Sequence, residues 1–407
     1  MKKTVLRNYA KLIARTGVNI QKGQQVIINA GLDQPEFVKM LTEECYKAGA
    51  SKVRVDLSLD GVEKIHARYM KQKDLARVEE WEKARLQHMV DVLPARIFLD
   101  SEDPNGLDGI HPRFFKAMQA RAAIIKPYRD AIDNKHQWCI AAVPGEAWAR
   151  KLYPALTKRQ AIEQLWKDIL FASRADGEDP IAAWQAHNKD LKARCEYLNS
   201  LGLKELRYRS ENGTDFTVGL IPEGVFHAGA DTTLQGVSFD PNIPTEEVFT
   251  SPDRRTAQGI VFSTKPLSFQ GQLIENFSVR FENGRAVEVK AEKGQAVLEQ
   301  VVSMDEAAHY LGECALVPKE SPINRLGILF YNTLFDENAA CHLALGAGFN
   351  ECVKGFETMT PAELYEIGVN DSISHTDFMI GSEDLAIDGI TRDGRTVPIF
   401  RDGTWAF

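Results

Sequence analysis

Two hydrophobic periods alternate along the first half of the chain. Gln24 to Gly31 is a short apolar run, with Val26, Ile27 and Ile28 at its centre and a glycine at its end, which predicts a buried strand. From Pro35 to Gly49 the apolar residues Phe37, Val38, Leu41, Cys45 and Ala48 recur at three and four spacing, the stripe of one helix face. Lys52 to Leu57 returns to strand-like residues. A strand, a helix and a second strand in that order predict a mostly parallel sheet, because the crossover brings the chain back to the same end. Thr4 to Thr16 is helix-like, Ala95 to Leu99 and Gln137 to Val143 are further strands, and Gly145 to about Asn199 is helical throughout.

Beyond Gly202 the texture changes. Asn212-Gly213, Asn283-Gly284 and Asp393-Gly394 each sit between alternating apolar and polar segments, the signature of tight antiparallel turns, and Phe277, Val279 and Phe281 would share one face. The expected organisation is an α/β amino-terminal domain over residues 1-200, and a largely antiparallel α+β carboxy-terminal domain over 201-407.

Composition narrows the class. The 407 residues, 44% hydrophobic and 26% charged, are those of an ordinary globular protein with room for two cores. A net charge of -8 argues against a phosphate-backbone surface, which needs clustered cations, so nucleic acid is not expected as a partner. Arg7, Lys11 and Arg15 interrupt the opening segment, leaving no uncharged run for a signal peptide or a membrane span, and a cytoplasmic protein is expected. The six cysteines contain no C-x-x-C pair and are expected to be reduced and mostly buried.

Candidate chemistry gathers in the second half. In a strand, alternate side chains share a face, so His375 and Asp377 would project together while Ser374 and Thr376 turn away. Glu246 and Glu247 follow Pro244 and read most simply as surface acids before a strand. Met304 to Glu313 is expected to be a helix, with His309 and Glu313 four apart on it. Glu313 stands between Gly312 and the apolar run Cys314 to Val317, where an unpaired charge would be costly to bury. Asn338 is expected to cap a helix through Leu345 that ends at Gly346, which would set Glu337 and His342 near the same helix end. There is no H-E-x-x-H, nucleophile elbow or Walker A loop, and Gly346-Ala347-Gly348 reads as a loop after a helix.

Taken in order, Asn242 to Thr250, Leu311 to Val317, Asn332 to His342 and His375-Thr376-Asp377 resemble the aminopeptidase T family, the M29 metallopeptidases, over nearly the whole chain. The resemblance implies an exopeptidase acting on short peptides, two divalent metals, an active site in the carboxy-terminal domain and a homodimer. It makes Glu247, Glu313, Glu337, His342, His375 and Asp377 the metal ligands, a set that suits zinc, cobalt or manganese. Glu313, in the most buried-looking context, is the expected bridge, and Glu246 is a candidate general base. Family members commonly carry a tyrosine seven residues after the ligand histidine, and here that position is Phe349. The rival reading is a mononuclear non-haem Fe(II) ring-cleaving dioxygenase using His342, His375 and Asp377, whose open coordination positions the surplus acids would fill. A third is a binding protein with structural metals.

Overall fold

The computed structural model describes residues 1–407. The fold is mixed, with parallel and antiparallel sheets, and divides into two compact units. One comprises Met1–Ala186 with Ala230–Pro244, the other His187–Gly229 with Thr245–Phe407.

The first unit is built on a five-stranded parallel sheet, ordered Asn242–Ile243, Trp138–Ala142, Ala95–Asp100, Gln25–Gly31, Lys52–Ser58. Val26, Ile27 and Ile28 are all buried, because an interior strand of a parallel sheet is covered on both faces and needs no alternation. The helix Pro35–Ala48 connects the first two strands, with proline in its first turn and a left-handed Gly49 (φ 118°) closing it. Its Phe37 meets Tyr9 and Trp166 at ring-centroid distances of 5.5 and 5.3 Å, tying it to the helices Lys3–Leu12 and Lys158–Ala172. The short strand Asn242–Ile243 joins the sheet edge beside Trp138–Ala142, where the amide of Ile140 donates to the carbonyl of Pro241 at 2.7 Å.

The second unit stacks two antiparallel sheets. The larger has nine strands, from Leu203–Arg209 to Thr404–Trp405. Its hairpins turn at the three Asn-Gly and Asp-Gly pairs; at Asn283-Gly284 both residues have positive φ (50° and 85°), the geometry that matches strand twist in a two-residue turn. The smaller sheet is ordered His375–Met379, His342–Gly346, Leu311–Leu316, Val248–Thr250, His227–Ala228. One of its faces is dry: Val248, Cys314, Leu343 and Phe378 join Tyr208, Phe216, Phe277 and Phe281 of the larger sheet in one buried cluster.

Two local expectations are corrected. His342 lies on a strand, not a helix: Thr333–Asp336 is a single helical turn, Glu337–Ala339 a 3-10 turn, and His342–Gly346 then pairs with strands on both sides. All five of its residues are buried, so the solvent-facing stripe of a surface helix has no place there. Gly346-Ala347-Gly348 accordingly follows a strand, and Ala347 and Gly348 donate to the carbonyls of Ser374 and Asn370. Likewise the helix Gln295–Val302 stops before a 3-10 turn, Glu306–His309, which Asp305 caps through the amide of Ala308 at 2.7 Å. Glu313 sits on the strand Leu311–Leu316, so it shares no helix with His309.

Candidate metal centre

The other face of the small sheet is where charge collects. Strand alternation that sends Leu343, Cys314 and Phe378 into the core sends their neighbours the opposite way. Register then places Glu313 opposite Ala344 and Ala344 opposite Asp377, with His342 opposite Ala315 in the next row and His375 opposite Gly346. The intervening residues are small, which leaves space between the long polar side chains above them.

Two groups of donor atoms result. Glu247, Glu313 and His342 form one, Glu313, His375 and Asp377 the other, and within each the donor atoms lie within 4.8 Å of one another. Glu313 belongs to both. Glu247 Oε2 stands 3.2 Å from His342 Nε2, and His375 Nε2 stands 3.2 Å from Glu313 Oε2 and 3.1 Å from Asp377 Oδ1. Asp377 and both glutamates are buried, whereas His375 keeps 27% of its side chain exposed and marks the open side of the group.

Backbone contacts select the ring atoms. His375 Nδ1 lies 2.7 Å from the carbonyl of Ala347 and His342 Nδ1 lies 3.1 Å from that of Ala340, so each Nδ1 must carry the donated hydrogen. Each Nε2 is thereby turned toward carboxylate oxygen. Two acceptors cannot face each other without a positive species between them, which is either a proton or a metal ion. Gly312 allows part of this arrangement, since a Cβ there would fall 2.0 Å from the Ala347 carbonyl that orients His375.

Burial and the close approach of like charges dominate the electrostatics of the group. Burial pushes the Glu313 carboxyl up to about 7, a rise that His375 moderates and the charges of Glu247 and Asp377 reinforce. Burial would depress His342, yet its hydrogen bond to Glu247 and the surrounding carboxylates outweigh that and raise it to about 10. Burial would raise Asp377, and the charge and hydrogen bond of His375 overcome it to hold the group near about 2. Glu337 is driven well above the ordinary carboxylate range by burial and then by the charges of Asp377 and Glu247.

Glu337 and Asp377 line one small cavity of about 10 Å³. The adjacent Asp336 has a different job: its two oxygens accept from the amides of Phe330 at 2.7 Å and Asn332 at 3.0 Å, fixing the loop ahead of Glu337. Glu246 is buried, contrary to the surface-acid reading of its segment, and its amide donates to Asn338 Oδ1 at 2.7 Å. Asn338 also donates from Nδ2 to the Leu334 carbonyl at 3.0 Å. It therefore ties the Glu246-Glu247 segment to the Glu337 turn, a positioning role that the helix-cap reading missed. Phe349 packs its ring 5.1 Å from that of His375 and 5.3 Å from that of Phe249, an apolar wall beside the carboxylates.

Buried carboxylates and imidazoles that share one glutamate define a protein equipped to hold divalent cations. The chain belongs to the thermophilic metalloprotease (M29) family, whose pattern it matches over residues 2–405. It is 42% identical over 404 residues to Aminopeptidase AmpS of Bacillus subtilis, covering 99% of this chain and 98% of that one. With Aminopeptidase T of Thermus aquaticus it shares 38% identity over 402 residues, 98% of each chain. Its fold is similar to that of wild-type AmpT from Thermus thermophilus, with a TM-score of 0.91 at 37% identity and 100% of both chains covered. A 2,5-dihydroxypyridine dioxygenase from Pseudomonas putida is similar in fold alone, with a TM-score of 0.53 at 12% identity over 99% of this chain and 96% of that one.

Proposed function

We propose that this pocket holds two divalent cations and that with them the chain works as a metal-dependent aminopeptidase, releasing amino-terminal residues from short peptides. The metallopeptidase family and the aminopeptidase relatives support the activity. The observation that carries the two-ion reading is Glu313, the member common to both donor groups. Glu247 and His342 would hold one ion, His375 and Asp377 the other, with Glu313 bridging and Glu337 completing the set. Oxygen and imidazole donors without a thiolate suit zinc, cobalt or manganese. When bound, such ions supply Lewis acidity to the scissile carbonyl and to the attacking water.

The chain's own residues do the rest. Ala347 and Ala340 fix which nitrogen each histidine presents. Glu246 is the proposed proton acceptor for the attacking water, and it is held beside Glu247 through Asn338. Phe249 and Phe349 exclude water from one side. The dioxygenase reading needs open coordination positions around His342, His375 and Asp377; Glu247, 3.2 Å from His342, and Glu313, 3.2 Å from His375, would fill them. A homodimer follows from the family resemblance. The six free cysteines support a cytoplasmic location.

Release of free amino acid from dipeptides and aminoacyl anilides tests the reading, with chelator-treated protein to which zinc, cobalt, manganese or iron is returned. Restored cleavage in wild type, absent in His375→Ala and at least tenfold slower in Glu246→Gln, is the expected result. Failure to cleave with every metal would overturn it.

A further inference from the structure

A second cavity lies in the same unit, lined in part by Ala339, Ala340 and Cys341, the stretch between Glu337 and His342. It has a volume of about 250 Å³, close to the ~300 Å³ at which small-molecule sites begin. Val317, Ala339, Ala340 and Leu385 give it an apolar wall; Thr264, Lys265, Lys319, Asn324 and Ser382 supply its polar groups, and Glu383, its one acid, is engaged by Lys319. None of these is a proposed ligand of the metal centre.

Lys265 is unusual among the cations here. Its ammonium makes one protein hydrogen bond, to Asn324 Oδ1 at 3.0 Å, and no ion pair, on a half-buried side chain. Burial holds its pKa below the ordinary lysine value, a fall that the charge of the buried Asp336 only moderates. An ammonium has three donors, so two remain for whatever enters the cavity. Next to it the hydroxyl of Thr264 is buried with no partner. The Thr264 backbone is fixed, its amide donating to the Met379 carbonyl at 2.9 Å, so the hydroxyl cannot simply swing out with the chain. Lys319 stands nearer solvent, 3.0 Å from the exposed Glu383. A half-buried ammonium with donors to spare, beside a buried hydroxyl that has no partner, is costly unless a ligand uses both.

We infer that this cavity is a binding site for a small carboxylate with a short apolar tail, of about amino-acid size. The carboxylate accepts from Lys265 Nζ and the Thr264 hydroxyl, and the tail lies against Val317, Ala339 and Leu385. The positive end and the dry wall call for both parts of such a molecule. A free amino acid and a simple aliphatic acid share this chemistry. The inference stands independently of the activity proposed for the metal centre.

Isothermal titration of the metal-loaded, full-length protein tests it, with 4-methylpentanoate, leucine, leucinamide and inorganic phosphate as separate ligands. Saturable binding of 4-methylpentanoate is expected, retained in His375→Ala, and at least tenfold weaker in Lys265→Met, Lys265→Gln and Thr264→Val. Leucine binding as well would name amino acids as a source. Leucinamide, which lacks the carboxylate, should not bind. A lysine variant that melts lower than wild type yet binds 4-methylpentanoate as well would mark Lys265 as structural and overturn the site. So would carboxylate binding lost in His375→Ala but kept in Lys265→Met, phosphate binding as tight as that of 4-methylpentanoate, or no binding at all.

Discussion

Glu313→Gln should make the metal-free protein more stable above neutral pH while abolishing its capacity for metal. In the metal-free fold, Glu313 has its pKa raised from 4.5 to about 7. Holding it ionised therefore costs roughly 3 kcal/mol at about 1.36 kcal/mol per pKa step. The sign follows from linkage: a carboxyl with a raised folded pKa binds its proton more tightly folded than unfolded, so its penalty grows as pH rises from 4.5 and is complete above 7. Glutamine keeps the shape and removes the charge. It also weakens the contact to His375, a charged hydrogen bond worth about 1.5–3 kcal/mol, although Asp377 remains as that ring's partner. The expected net gain is on the order of 1 kcal/mol at pH 8, vanishing or reversing at pH 5, where the wild-type carboxyl is protonated. Thermal unfolding of chelator-treated wild type and variant at the two pH values measures it. The same scans with added zinc should reverse the order, because only wild type gains the linkage stabilisation of bound ligand. A variant less stable than wild type by the same amount at both pH values would refute the reasoning.

Metal binding should release protons, since His342, raised to about 10, and Glu313, raised to about 7, hold them at neutral pH without an ion. Affinity should therefore rise from pH 6 to 8, and the binding enthalpy should vary with the ionisation enthalpy of the buffer; an enthalpy independent of buffer contradicts this. Leu343→Ala, on the dry face and fully buried, should cost about 2–5 kcal/mol in denaturant unfolding while cleavage per folded molecule stays within about threefold. Loss of turnover without loss of stability would show that the two faces are not separate. Phe349→Tyr adds a phenolic donor beside His375, and kcat should rise, by up to about 100-fold if an oxyanion donor is what the chain lacks. An unchanged kcat would show that the position contributes only to the apolar wall.

Much of the parallel sheet was legible because its signals are local and strong. Pro35 to Gly49 repeats at helical spacing and is bounded by proline and glycine, and the observed helix Pro35–Ala48 agrees with it. The strand expected at Ala95 to Leu99 runs to Asp100. The three hairpin turns were legible for the same reason. The strand around His342 was not, because alanine and leucine favour helices in isolation. Only pairing with strands from distant parts of the chain overrides that preference. His375 and Asp377 could be placed on one face from spacing alone, and their Nε2 and Oδ1 atoms lie 3.1 Å apart. That Glu247 and Glu313 would join two histidines depends on register between distant strands, which no local spacing encodes. Asn338 has only its dual donor and acceptor chemistry to recommend it. Lys265 looks like any surface lysine until the fold encloses it.

The central claim is a single buried centre in which Glu313 joins two ions. Elemental analysis of bound metal, performed on wild type and Glu313→Gln after reconstitution with zinc and removal of excess, tests it directly. Wild type should retain two ions per chain with aminopeptidase activity appearing only as the second is filled, and the variant should retain fewer than one and be inactive. Full activity with a single ion per chain, or two tightly held ions in Glu313→Gln, would contradict the account.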